Sequence, residues 1–112
     1  MSFVDVYYNK KLIAKNVKNC ERFYQKVLGL MFVKSPDNGA FLPNVKDIHM
    51  NFVRFPLRIV WLDDKFRVVE DTIAKPWRLY YGPYNAKHVL ELPSNNKAMI
   101  KKNAKLKLVY HV

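Results

Sequence analysis

Cysteine, glycine, glutamate and small hydroxyl side chains are all scarce in this 112-residue chain, and each scarcity removes a class of function. The single cysteine, Cys20, has no partner for an internal disulfide, so nothing calls for an oxidising compartment. Gly29, Gly39 and Gly82 are too scattered to form a glycine-rich loop that cradles phosphate. Ser2, Ser35, Ser94 and Thr72 are the aliphatic hydroxyls, and none sits in a strand-to-helix nucleophile elbow. His49, His88 and His111 are far apart, without the ligand spacing of a zinc site. The longest apolar run, Val27 to Val33, falls well short of the roughly 20 residues that cross a bilayer. Asp5 and its polar neighbours occupy the place of a secretory leader's apolar stretch, so the expected compartment is the cytoplasm. The expectation is a non-enzymatic protein with no catalytic residue, metal or cofactor.

Positive charge is what the chain has in excess. Twenty Lys and Arg face nine Asp and Glu, a formal net charge of +11. The glutamates are Glu21, Glu70 and Glu91, too few to pair the lysines in ion-pair networks. The excess attracts polyanions or anionic surfaces, or simply keeps copies of the protein apart. With 50% hydrophobic and 14% aromatic residues, the chain has ample material for one core, so residues 1–112 read as a single domain.

Alternation dominates the pattern. Phe3–Tyr8 and Lys11–Val17 bracket Asn9-Lys10 as an opening hairpin. Asn19 reads as an N-cap, with Phe23, Tyr24, Val27 and Leu28 at helical spacing before Gly29. Ile48, Met50 and Phe52 alternate with His49 and Asn51. Leu57, Ile59 and Trp61 follow, then an Asp63-Asp64-Lys65 turn into Phe66–Val69. His88–Leu92 reads as a strand, Asn96–Lys102 as a short helix, and Leu106, Leu108 and Tyr110 as a last strand. Roughly eight strands and two short helices predict a mainly β fold, a compact β-sandwich or pseudo-barrel with helices at its margins.

Gly29-Leu30-Met31-Phe32, Ile48-His49-Met50, Phe55-Pro56-Leu57 and Val60-Trp61-Leu62-Asp63 are followed by Arg67-Val68-Val69, Pro76-Trp77-Arg78 and Ala86–Pro93. In this order the segments resemble a family of archaeal and bacterial proteins, the domain-of-unknown-function family 192. The resemblance implies a compact, mainly β fold of the sandwich or pseudo-barrel kind, and no activity. Three positions depart from the family pattern. Arg58 stands where an acidic residue is usual, Ser94-Asn95 where Ala-Gly is usual, and Asn103-Ala104 where Gly-Asp is usual. Arg58 replaces an acceptor with a donor of opposite charge.

Four features bear on function. Cys20 at the start of the predicted helix has a dipole that lowers thiol pKa, or is a small packing residue. Lys75-Pro76-Trp77-Arg78-Leu79-Tyr80-Tyr81-Gly82-Pro83-Tyr84 interleaves cations with aromatics, which suits stacked bases and phosphates or a flat sugar, or covers the end of a core. His49, Asn51 and Arg58, with Trp77, Arg78, Tyr80 and Tyr81, are candidates for a sugar or carboxylate pocket in a β-barrel mouth, or His49 and Asn51 simply lie on the solvated outer face of their strand. Lys105 and Lys107 form a cationic strand face that binds nucleic acid together with Lys75, Trp77 and Arg78, or protects an edge strand from aggregation. A nucleic-acid or other polyanion partner leads. The small-molecule pocket and docking on a larger protein remain open.

Overall fold

A computed structural model describes residues 2–21, 38–51 and 53–112. Among these the chain forms strands β1 (Phe3–Tyr8), β2 (Lys11–Asn19), β3 (Ala40–Leu42), β4 (Ile48–His49) and β5 (Leu57–Leu62), then β6 (Val68–Ala74), β7 (Leu79–Tyr80), β8 (His88–Pro93) and β9 (Lys107–His111). Seven of them make one sheet in the order β6-β5-β8-β3-β2-β1-β9, and β4 pairs with β7 in a second, small sheet. β2 and β3 run parallel; the other neighbours are antiparallel.

Local chemistry sets the turns. Asn9 and Lys10 both take positive φ, 50° and 66°, which is the backbone of the tight two-residue turn that suits right-twisted strands. β1 and β2 therefore form the predicted hairpin. Between β5 and β6, Asp63 Oδ1 accepts the amide protons of Lys65 and Arg67, both at 2.9 Å, and its Oδ2 accepts from Arg67 Nε. Burial alone would raise the Asp63 carboxyl, but the Arg67 and Lys65 amides and the Arg67 guanidinium hold it below the usual range. Asp63 is thus the organiser of a turn. Gly39, at φ 97°, lies so close to β8 that a Cβ would strike the Glu91 carbonyl oxygen. Only glycine fits there.

The large sheet has a core on each face. One face, called inner, gathers Val4, Val6, Val17, Phe41, Val60, Leu62, Val68, Leu90, Leu92 and Leu106. Its outer face carries Cys20, Ala40, Leu42, Leu57, Ile59, Trp61 and Val89, covered by Ile48, Met50, Val53 and Ala86 from the later loops. β5 is consequently buried along its whole length. The sheet is open rather than a closed barrel. Its edges approach at one point, where Arg67 bridges Lys105 and Leu106 N–H donates to the Phe66 carbonyl.

Three expectations change. Asn96–Lys102 is not a helix: Arg58 Nη1 takes the Asn96 carbonyl at 3.0 Å, and Asn96 Nδ2 donates to the Ile13 carbonyl. Those tertiary bonds override a favourable local propensity. Asn19 ends β2 instead of capping a helix, and the rest of that predicted helix lies outside the described residues. The strand predicted from Ile48 stops at His49. No helix among the described residues is long and apolar enough to cross a membrane.

Candidate functional site

The segment from Lys75 to Tyr84 leaves β6 at the sheet edge and crosses the outer core. It is fastened there by backbone bonds. Trp77 N–H donates to the Met50 carbonyl at 2.8 Å, and Met50 N–H donates to the Arg78 carbonyl at 2.7 Å. Ile48 pairs with Tyr80 and His49 with Leu79. Gly82 N–H reaches Asp47 Oδ1 at 3.1 Å, and Lys46 Nζ reaches the Gly82 carbonyl at 3.3 Å. Beneath this, Trp61 Nε1 donates to the Lys46 carbonyl at 2.8 Å, and a Cβ at Gly82 would come within 2.7 Å of that same nitrogen. The loop is therefore held against the core at several points along its length.

What the loop presents is aromatic and cationic. Trp77 is 60% exposed, Tyr81 71% and Tyr84 95%, with Lys75, Arg78 and Leu79 also facing outward. Trp77 takes φ 65°, a left-handed backbone that is rare for a bulky residue. Tyr80 differs from its neighbours. It packs against the outer core, and its hydroxyl accepts the Lys75 amide proton at 2.7 Å. Tyr80 is therefore a brace for the loop.

The fold brings His49 and Asn51 to this loop and takes Arg58 away. His49 sits opposite Leu79, half-buried, its Nδ1 buried without a hydrogen-bond partner among the described residues; Asn51 is exposed in the turn beyond it. Arg58 lies between Leu57 and Ile59, both in the outer core, so it projects from the inner face of the sheet. There it grips Asp71 through two bonds, Nε–Oδ1 at 2.9 Å and Nη2–Oδ2 at 2.6 Å, plus the Asn96 carbonyl. The candidate convergence of His49, Asn51 and Arg58 on a polar ligand is thus corrected: the sheet stands between them, and a carboxylate already fills the guanidinium fork.

Lys105 and Lys107 are likewise separate from the loop. Lys105 bridges Arg67 just before β6, whereas the loop departs after Ala74, at the far end of that seven-residue strand. At about 3.3 Å per residue the separation is roughly 20 Å. These lysines instead meet Lys10 and Tyr7 around a cavity beside the β1–β2 turn. Sequence reasoning missed Lys10 and Tyr7, because their link to Lys107 rests on β1–β9 pairing between the two ends of the chain.

Two buried groups complete the inventory. Cys20 is fully buried; desolvation pushes its thiol up to about 11, with Lys18 opposing and Glu91 adding to the shift. A thiol so held is a packing residue. Glu91, 5% exposed on β8, is pushed up to about 7 by burial, and its Oε1 has no partner among the described residues. Its only sequence signal was an acidic residue inside an otherwise apolar strand.

The chain as a whole is similar to several known proteins. The model of the family DUF192, described as "Uncharacterized ACR", matches residues 6–108. The UPF0127 protein PH1112 of Pyrococcus horikoshii is 33% identical over 90 residues, covering 76% of this chain and 78% of that protein. The UPF0127 protein TK1120 of Thermococcus kodakarensis is 35% identical over 69% of this chain and 53% of its own length. A protein of Campylobacter curvus named ribosome maturation factor RimM is 36% identical over 89% of this chain, which spans 53% of that protein. The crystal structure of a protein of unknown function from Novosphingobium aromaticivorans superposes with a TM-score of 0.76 at 21% identity, covering 94% of this chain and 83% of that one.

Proposed function

The chain belongs to the DUF192 family, and we propose that this member is a non-enzymatic binding domain for an anionic partner, with single-stranded nucleic acid as the leading case. The observation that carries the reading is the exposed Trp77, held at φ 65° by a loop bonded to β4 and flanked by Lys75 and Arg78. A tryptophan that merely closed the end of the core would be buried. A ring presented to solvent on a fastened backbone suits base stacking, while the adjacent cations neutralise phosphates. Tyr81 and Tyr84 extend the same surface. A Campylobacter curvus relative is named as a ribosome maturation factor, which makes RNA the nucleic acid to test first.

A pocket for a sugar or carboxylate is the second reading. Without Arg58 it depends on the buried Nδ1 of His49 beside the loop, which has no hydrogen-bond partner among the described residues.

The test is fluorescence anisotropy with labelled single-stranded RNA, single-stranded DNA and duplex at about 50 and 200 mM salt. Single strands are expected to bind tightest, with affinity falling steeply as salt rises. Trp77→Ala should weaken binding by about 1–3 kcal/mol through lost stacking. Absence of binding at the lower salt overturns the proposal, and undiminished affinity in the Trp77 variant removes the loop from it.

A further inference from the structure

We propose that the groove between the β1–β2 turn and β9 is a binding site for the phosphate of a nucleotide unit, separate from the Lys75–Tyr84 loop and not resting on its function. A cavity of about 360 Å³ opens there, lined by Tyr7, Asn9, Lys10, Lys105, Lys107 and Val109. That volume lies within the range of small-ligand pockets.

The strands aim these side chains. Val4 and Val6 point into the inner core, so Asp5 and Tyr7 face outward. Tyr7 pairs directly with Lys107, and Asp5 with Val109, which brings Lys107 and Val109 onto the same outer face. Leu106 is buried, so its neighbours Lys105 and Lys107 both project outward. Lys10 arrives from the other side, oriented by the left-handed backbone of the turn.

The electrostatics are one-sided. No acidic residue lines the cavity, and none of the three lysines has a carboxylate partner among the described residues. Asp5, the acidic residue that β1 presents on this face, is already engaged: it accepts the Asn16 amide proton at 2.9 Å and lies 3.0 Å from His111 Nε2. Protection of an edge strand accounts for Lys107 on β9, but not for Lys10, which the turn brings to the same concavity. Three ammonium groups around one cavity repel each other until an anion enters. Lysine supplies point charges for a phosphate, and the Tyr7 ring with Val109 supplies an apolar wall against which a base lies flat.

The phosphate could come from a free nucleotide or from the 5′ end of a strand, and one experiment separates the two. The full chain, labelled with ¹⁵N, is titrated with ADP, with inorganic phosphate, and with a tetranucleotide carrying or lacking a 5′-phosphate. ADP is expected to shift the amides of Tyr7, Lys10, Lys105 and Lys107. Lys10→Ala/Lys105→Ala/Lys107→Ala should weaken ADP at least tenfold, and Tyr7→Leu should weaken ADP but not inorganic phosphate. All four positions are at or near the surface, so the variants fold, which a thermal melt checks. Tighter binding of ADP than of the phosphorylated tetranucleotide upholds the site with a free nucleotide as its source, and the reverse upholds it with a strand end. Affinities are read from the shifts of the Tyr7, Lys10, Lys105 and Lys107 amides themselves, which distinguishes this site from strand binding at the loop. Shifts elsewhere only, or equal affinity in the triple variant, would overturn the proposal.

Discussion

Among the described residues, Glu91 is a carboxylate buried in the core. Its carboxyl is enclosed by the outer core, with Ala40 and Ile59 opposite it on β3 and β5. Folding raises its pKa from an ordinary 4.5 to about 7, because burial penalises the charged form. The sign follows from proton binding. Below about pH 4.5 both folded and unfolded chains are protonated, and the group contributes nothing. Between about 4.5 and 7 the folded chain keeps a proton that the unfolded chain has lost, so stability falls as pH rises. Above about 7 the folded protein carries a buried carboxylate at full penalty, on the order of 3 kcal/mol for a shift of this size. Glu91→Gln should flatten this limb and stabilise the protein at pH 8 by about 1–3 kcal/mol, the amide still lacking full hydrogen bonding. Urea midpoints at pH 5, 6, 7 and 8 measure it; an unchanged slope in the variant would assign the pH dependence to other groups. Asp63 acts in the opposite sense and in a lower window, since its lowered pKa gives stability that is lost only as the turn's carboxylate protonates in acid.

At the scale of elements, the Lys75–Tyr84 loop separates stability from recognition. Gly82 is a packing residue: a methyl group there meets the Lys46 carbonyl and Trp61 Nε1 together. Gly82→Ala should therefore cost about 1–3 kcal/mol, by displacing the Trp61–Lys46 bond or lifting the loop. Trp77 is the reverse case. Its left-handed backbone costs about 1–2 kcal/mol that glycine avoids, set against some 0.5–1 kcal/mol of extra chain freedom in the unfolded state. Trp77→Gly should leave the melting temperature level or slightly raised while weakening nucleic-acid binding. A large fall in melting temperature would make Trp77 part of the core. The same contrast explains what was legible beforehand. Turns written in local chemistry, Asn9-Lys10 and Asp63-Asp64-Lys65, were readable, as were the apolar runs of β5 and β8. The exposure of Trp77 was not, because an aromatic loop can cover a core or project from one. Arg58 misled for a related reason: its partner Asp71 is on the neighbouring strand, and a guanidinium paired across strands looks the same in sequence as one awaiting a ligand. The Asn96–Lys102 segment failed because its bonds go to Ile13 and Arg58, far away in the chain.

For the whole molecule, the question is whether a charge of +11 acts diffusely or through sites. Acidic residues cease after Glu91, while Lys97, Lys101, Lys102, Lys105 and Lys107 follow. The stretch that carries most of them crosses from Ile13 to the Phe66–Val68 backbone, over the end of the inner core. These lysines therefore lie at that end, and Lys75 and Arg78 stand apart from them on the aromatic loop. Salt dependence separates the two modes, because each phosphate neutralised on a single strand contributes about 0.7 to the slope of log K against log salt. If recognition is sited at the loop, Lys75→Ala/Arg78→Ala should reduce that slope by about 1.4, and Lys101→Ala/Lys102→Ala should change it little. Trp77→Ala should lower affinity with the slope intact, since stacking releases no counterions. Anisotropy titrations of single-stranded RNA across four salt concentrations give all three numbers. Equal loss of slope in the two double variants would show that the strand responds to the general field of the protein, and the loop would then have no special claim on it.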